Sequence, residues 1–119
     1  MNAPHGSGFE VIRAAQRRRR TVPGNPLSYQ ELSPEGAESM AMFSATAAPG
    51  ESTGVASLKH GGDEALVVVS GRFEIEVEGK KDYLDPGDSV FIRRGQRHRL
   101  TNVGKDTGQA IFVLSPPAY

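Results

Sequence analysis

Three side chains in this sequence have the types and the spacing to bind one metal ion. His60 and Glu64 lie just ahead of an apolar run that ends at Gly71, and His98 lies in a later polar stretch. Two imidazoles and one carboxylate form the facial triad of non-haem Fe(II) enzymes, which leaves coordination positions open for substrate and oxygen. The three residues therefore predict a single mononuclear site. The alternative is a surface-exposed Glu64 and a hydrogen-bonded His98 with no metal between them.

These side chains can meet only if strands bring their faces together, because alternate residues of a strand share a face. The groups that this rule places on common faces are Leu58 with His60, Glu64 with Leu66 and Val68, and His98 with Leu100 and Asn102. If those faces line one barrel interior, the carboxylate is buried there, and a buried charge without a partner is costly. A divalent cation would remove that cost and would use both imidazoles.

The rest of the chain predicts short strands separated by turns. Fourteen glycines and eight prolines are spread along 119 residues, as in all-β folds. Over residues 72–78, Phe73, Ile75 and Val77 alternate with charged side chains, which is the period of a half-buried strand. The predicted strands are 27–32, 39–46, 54–60, 64–70, 72–78, 81–84, 89–93, 97–103 and 109–115. This spacing predicts one all-β sandwich or barrel.

Composition excludes several classes of protein. The chain has no cysteine, so disulfides, thiolate metal ligands and a cysteine nucleophile are excluded. No apolar run approaches the roughly 18 residues of a membrane helix, and the N-terminus lacks the apolar core of a signal peptide. We therefore expect a cytoplasmic protein with no membrane partner.

The charge is unevenly distributed. Residues 1–20 contain five arginines against one glutamate, a net charge of +4, so the remainder of this neutral chain carries −4. We expect residues 1–20 to form a flexible basic N-terminal arm and residues 21–119 to form the barrel. Such an asymmetry can mark a nucleic-acid arm, but a solvated segment is the favoured interpretation, and we expect no sequence-specific nucleic-acid binding.

The later polar stretch carries a family resemblance. One cupin motif is usually written G-x5-P-x-G-x2-H-x3-N. Gly87, Gly95, His98 and Asn102 fit it at every spacing, and Arg93 replaces the proline. The chain resembles a small single-domain cupin over roughly residues 25–117. The resemblance implies a cupin double-stranded β-helix, a jelly-roll barrel, preceded by a short N-terminal arm.

The other cupin motif, G-x5-H-x-H-x3,4-E-x6-G, fits in part. His60, Glu64 and Gly71 occupy the second histidine, the glutamate and the closing glycine. Leu58 occupies the first histidine position, so one of four usual ligands is absent and the pocket gains an apolar wall. The resemblance implies that His60, Glu64 and His98 hold the metal. It also places Asn102 near them, where it orients a ligand or caps a turn.

The variant stretch at residues 60–64 resembles H-x-G-x-E in two groups. One is the cupin domain of helix-turn-helix regulators, which senses a small ligand, and the other is hydroxypropylphosphonate epoxidase, an iron enzyme. The leading expectation is one divalent metal, Fe(II) preferred with Mn, Ni or Zn fitting the same donors, acting on a small molecule in oxygenase-type chemistry. An isomerase or a lyase, a ligand sensor without turnover, and a metal-free barrel are the alternatives. Small cupins commonly pair, so we expect a homodimer.

Overall fold

The structure is a computed structural model, and it describes residues 8–53 and 62–117. The predicted strand at 54–60, with Leu58 and His60, lies outside the described residues. Inside them, no helix is long and apolar enough to cross a membrane.

The described residues form a short 3-10 helix and nine strands. The elements are the 3-10 helix Ala14–Gln16 and the strands β1 Arg18–Val22, β2 Asn25–Glu31, β3 Ala41–Ala47, β4 Asp63–Ser70, β5 Phe73–Val77, β6 Lys80–Leu84, β7 Ser89–Ile92, β8 His98–Asn102 and β9 Gly108–Ser115. The strands predicted within these residues are all present, and their ends are shifted by no more than two residues.

The strands form two antiparallel sheets. One has six strands in the order β1-β2-β3-β9-β4-β7, and the other has three in the order β6-β5-β8. A core of apolar side chains from both sheets is buried between them. The predicted all-β jelly-roll barrel is therefore confirmed.

Local sequence explains how β4 turns into β5 and joins the two sheets. Gly71 has φ +83°, and a Cβ atom there would lie 2.8 Å from the Cα of Gly108, so only glycine fits this turn. In β5, Phe73 and Ile75 are buried, whereas Glu74 faces outward, where it forms an ion pair with Lys81. The period of two thus assigns one face to the core and the other to solvent.

No strand was predicted ahead of residue 27, so β1 was missed. Residues 1–20 were expected to form a flexible arm and the barrel to begin at residue 21, but β1 begins at Arg18 and pairs with β2, Arg18 opposite Glu31. Glu31 is only 2% exposed, and it accepts hydrogen bonds from Arg18 Nη2 at 2.6 Å, Arg20 Nη2 at 2.9 Å and Ser33 Oγ at 3.3 Å. Alternate arginines of the basic run therefore bind a buried carboxylate, which ties this segment to the sheet.

Candidate metal centre

Glu64 and His98 face each other from opposite sheets. Glu64 is the second residue of β4, where it pairs with Ile92 and Leu114 in the six-stranded sheet. His98 is the first residue of β8, opposite Val77 in the three-stranded sheet. Both side chains are buried, and Glu64 Oε1 lies 3.2 Å from His98 Nε2. The barrel therefore brings together two of the three predicted metal ligands.

The backbone of the 93–97 turn fixes the imidazole of His98. Its Nδ1 lies 3.2 Å from the carbonyl oxygen of Gln96. Since a carbonyl oxygen only accepts hydrogen bonds, Nδ1 carries the proton in this contact. The neutral ring then has an unprotonated Nε2, which is the arrangement typical of a metal-bound histidine. When His98 is protonated, Nε2 donates to Glu64 instead.

Glu64 also controls the protonation of His98. Burial by itself would lower the pKa of the imidazole, but the hydrogen bond to Glu64, the negative charge of Glu64 and the Gln96 carbonyl together outweigh burial and raise the pKa above 6.5. The pair therefore holds a proton more strongly than an isolated histidine does. A cation that binds here must displace that proton, because a metal ligand must be deprotonated.

The separation of the two donors fits a shared cation. Ligand atoms about 2.1 Å from a metal lie about 3.0 Å apart at the right angles of an octahedral site and about 3.4 Å apart at tetrahedral angles. The 3.2 Å between Glu64 Oε1 and His98 Nε2 falls between these two distances. Within residues 8–53 and 62–117 no group of three His, Asp or Glu side chains could hold a metal. The third predicted ligand, His60, and the predicted apolar wall, Leu58, lie outside those ranges.

A cavity of about 260 Å³ opens beside the pair. Its wall is mainly apolar and includes Leu27, Tyr29, Phe43, Ala45, Leu66, Leu100, Ala110, Phe112 and Leu114, with Glu64 and His98 among its polar members. The hairpin between β1 and β2 contributes Thr21, Val22 and Pro23. A small cavity with an apolar wall and a few convergent polar groups is the usual form of a ligand site.

Two polar residues of this wall were missed by the sequence analysis. Asn25 Nδ2 donates to the hydroxyl oxygen of Tyr29 at 2.8 Å. The ring of Tyr29 packs edge-on against Phe112, with 5.7 Å between centroids. Burial raises the pKa of Tyr29, the Asn25 hydrogen bond opposes that rise, and the charge of Glu64 adds to it. Alternation along β2 was the available signal, since Leu27, Tyr29 and Glu31 share its buried face.

Asn102 holds turns together. Its Nδ2 donates to the carbonyl oxygens of Ala47 and Asp106 at 2.8 and 2.9 Å, and its Oδ1 accepts from the backbone N–H of Gly104 at 2.8 Å. Both amide hydrogens and the amide oxygen of Asn102 thus bond to the backbone. This arrangement fits the predicted turn cap rather than a residue that orients a ligand.

The sequence is similar to those of known proteins. The family model of the cupin domain matches residues 43–114. Tetracenomycin polyketide synthase protein TcmJ of Streptomyces glaucescens is 34% identical over 56 residues, which are 47% of this chain and 38% of that protein. The match thus spans well under half the length of this curated relative.

Solved structures share the architecture. A Cupin 2 conserved barrel domain protein from Salinispora arenicola is similar with a TM-score of 0.69 at 26% identity, covering 82% of this chain and 81% of the other. The Cupin_2 domain of an XRE family transcriptional regulator from Enterobacter cloacae has a TM-score of 0.68 at 24% identity, covering 77% of this chain and 98% of the other. The second likeness concerns the fold alone.

Proposed function

This chain belongs to the cupin family, and we propose that it uses Glu64, His98 and His60 to hold one divalent metal ion and to act on a small molecule. Fe(II) is preferred because two imidazoles and one carboxylate are the donor set of its facial triad. The observation that carries the proposal is the 3.2 Å contact between Glu64 Oε1 and His98 Nε2 at the wall of an apolar cavity.

The residues of the site have separable roles in this proposal. Gln96 orients His98 through Nδ1, which leaves Nε2 directed at Glu64. The leucines and phenylalanines of the cavity exclude water, which strengthens every electrostatic interaction inside. When bound, the metal would supply Lewis acidity and, as Fe(II), the ability to react with oxygen. Oxygenase-type chemistry is therefore the reaction class that we propose.

The substrate class follows from the cavity and from a relative. The wall is apolar apart from a few polar groups, so it suits a carbon skeleton with few oxygens. TcmJ is a polyketide synthase protein, and polyketides alternate apolar carbons with carbonyl or hydroxyl carbons. We propose a small polyketide-like molecule as the substrate, with its oxygens directed at Glu64 and His98.

Metal analysis of the purified protein tests the metal part of the proposal. We expect about one equivalent of a divalent metal per chain, and removal by a chelator should lower the melting temperature by several degrees, because a ligand that binds only the folded state stabilises it. A protein that contains no metal and gains no stability from Fe(II), Mn(II), Ni(II) or Zn(II) would instead be a metal-free barrel.

Turnover separates an enzyme from a ligand sensor, which is the second candidate. The likeness of the barrel to the cupin domain of a transcriptional regulator favours that alternative at the level of fold. The Fe(II)-loaded protein should be incubated with benzoylacetone, an aromatic β-diketone, in air and under nitrogen. Oxygen-dependent product above the metal-only blank supports the enzyme. Binding that leaves the diketone unchanged in both atmospheres supports the sensor.

A further inference from the structure

Tyr29 presents a hydrogen-bond donor to the cavity. The residue is only 8% exposed, and it lines the cavity together with Glu64 and His98. The hydroxyl oxygen accepts a hydrogen bond from Asn25. In the described part of the chain, no hydrogen bond is donated by this hydroxyl. The hydroxyl hydrogen is therefore available to an acceptor that enters the cavity, and a ligand that offers one gains a hydrogen bond.

The neighbours of Tyr29 fix both the ring and the direction of its proton. Asn25 Oδ1 accepts from the backbone N–H of Leu27 at 3.0 Å, so the NH2 group of Asn25 must point at the tyrosine. The hydroxyl therefore acts as the acceptor towards Asn25, and its own hydrogen is turned away from that side. Phe112 packs edge-on against the ring and stacks on Phe43, which restricts the movement of the ring.

From this geometry we propose that Tyr29 donates a hydrogen bond to an oxygen atom of the bound molecule and so selects ligands that carry a carbonyl, hydroxyl or enolate oxygen on an apolar skeleton. Tyr29 is then a specificity-determining residue, and Asn25 is the positioning residue behind it. The inference deepens the proposed function and rests on it for the role of the cavity, but it requires no metal.

The consequence is discrimination between ligands of equal shape. Acetophenone and ethylbenzene have similar size, but only acetophenone offers an acceptor oxygen. A neutral hydrogen bond in a buried site contributes roughly a factor of ten in affinity. Tyr29→Phe removes the hydroxyl and keeps the ring, so it should lower the affinity for acetophenone and leave that for ethylbenzene nearly unchanged.

The test measures the affinities of both probes by NMR titration. Wild type, Tyr29→Phe and Tyr83→Phe should each be titrated in metal-free and in metal-loaded form. Tyr83 is the matched control, because it lies on β6, is 49% exposed and does not line the cavity. We expect the ratio of acetophenone to ethylbenzene affinity to fall about tenfold in Tyr29→Phe and to stay at the wild-type value in Tyr83→Phe.

An unchanged ratio in Tyr29→Phe would overturn the inference, as would an equal loss in Tyr83→Phe. The ethylbenzene affinity reports whether the cavity of each variant is intact. Metal content, measured on the same samples, should be equal in all three proteins. A failure of the metal site would therefore appear as absent metal with the tyrosine effect preserved, whereas a failure of this inference would leave the metal content unaffected.

Discussion

Two buried carboxylates on the same sheet have different kinds of partner. Glu31 receives hydrogen bonds from the guanidinium groups of Arg18 and Arg20 and from Ser33. Glu64 faces the imidazole of His98 at 3.2 Å. A guanidinium remains charged at every working pH, whereas an imidazole loses its proton near neutrality. The first carboxylate has cations that stay charged. The second has a partner that can release its proton to solvent and then bind a metal through the freed nitrogen.

This difference separates structure from function in the barrel. A carboxylate held by two arginines has its negative charge satisfied within the protein, and it ties the first strand to the sheet. The Glu64–His98 pair can exchange one positive charge for another at the wall of a cavity. Burial alone would not have told the two sites apart, because Glu31 and Glu64 are 2% and 8% exposed. The chemistry of the partner does.

The largest expected effect is on the cluster around Glu31. Replacing both Arg18 and Arg20 with methionine removes two cations from a buried carboxylate, which should lower the free energy of unfolding by about 3 kcal/mol. This loss is at the lower end of the range for breaking a buried ion pair, because both arginine side chains are partly exposed to solvent. Urea denaturation measures it. Adding Glu31→Leu to that double variant should restore most of the stability, and a loss below about 0.5 kcal/mol would contradict the structural role.

The stability that the Glu64–His98 pair gives to the metal-free protein should depend on pH. The pKa of His98 is raised in the folded protein, so the proton stabilises the folded state. The stabilisation is complete below about pH 6.5, the ordinary pKa of histidine in the unfolded chain. It is lost as the pH rises through the raised pKa of His98 in the folded protein.

The measurement is urea denaturation of metal-free protein between about pH 5.5 and pH 8.5. Wild type should lose stability relative to His98→Gln as the pH increases, by up to about 1.4 kcal/mol for each unit by which the pKa is raised. A pH-independent difference between wild type and His98→Gln would show that the pair does not retain the proton.

A smaller effect is expected at Leu58, which the sequence places where related proteins have another histidine. Leu58→His adds a fourth donor, so it should tighten metal binding about tenfold while weakening any bidentate ligand and any oxygenase turnover. Metal titration and the benzoylacetone assay measure the two parts. Equal turnover by the variant and the wild type would contradict the need for an open position and would favour a simple Lewis-acid or sensor role.

Alternation along the strands made most of the barrel predictable. The residues that face inward on β4 and β8, Glu64, Leu66, His98 and Leu100, are those that the period of two placed together. Each strand has one buried face, so its register with the core is fixed by sequence. Alternation placed Glu64 and His98 on inward faces, and the resemblance to the cupin motifs implied that these faces meet, which is why the contact could be expected from two distant stretches of the chain.

Contacts that depend on pairing between strands could not be anticipated. Arg18 and Arg20 reach Glu31 because the β1–β2 hairpin places Arg18 opposite Glu31, with a register shift between Arg20 and Val22. The sequence shows a run of basic residues but does not show that shift. Tyr29 was placed on a predicted strand, yet its role depends on the Asn25 amide and on a cavity closed by the same hairpin.

The most direct test of the account applies one change to each carboxylate. Glu31→Gln and Glu64→Gln should be compared with the wild type by anaerobic titration with Fe(II) and by thermal unfolding of the metal-free proteins. Glu31→Gln should lower stability and keep the wild-type metal stoichiometry. Glu64→Gln should keep a folded barrel, but its affinity for the metal should fall by roughly 10-fold or more. Full metal binding by Glu64→Gln, or loss of metal in a folded Glu31→Gln protein, would contradict the assignment of the two sites.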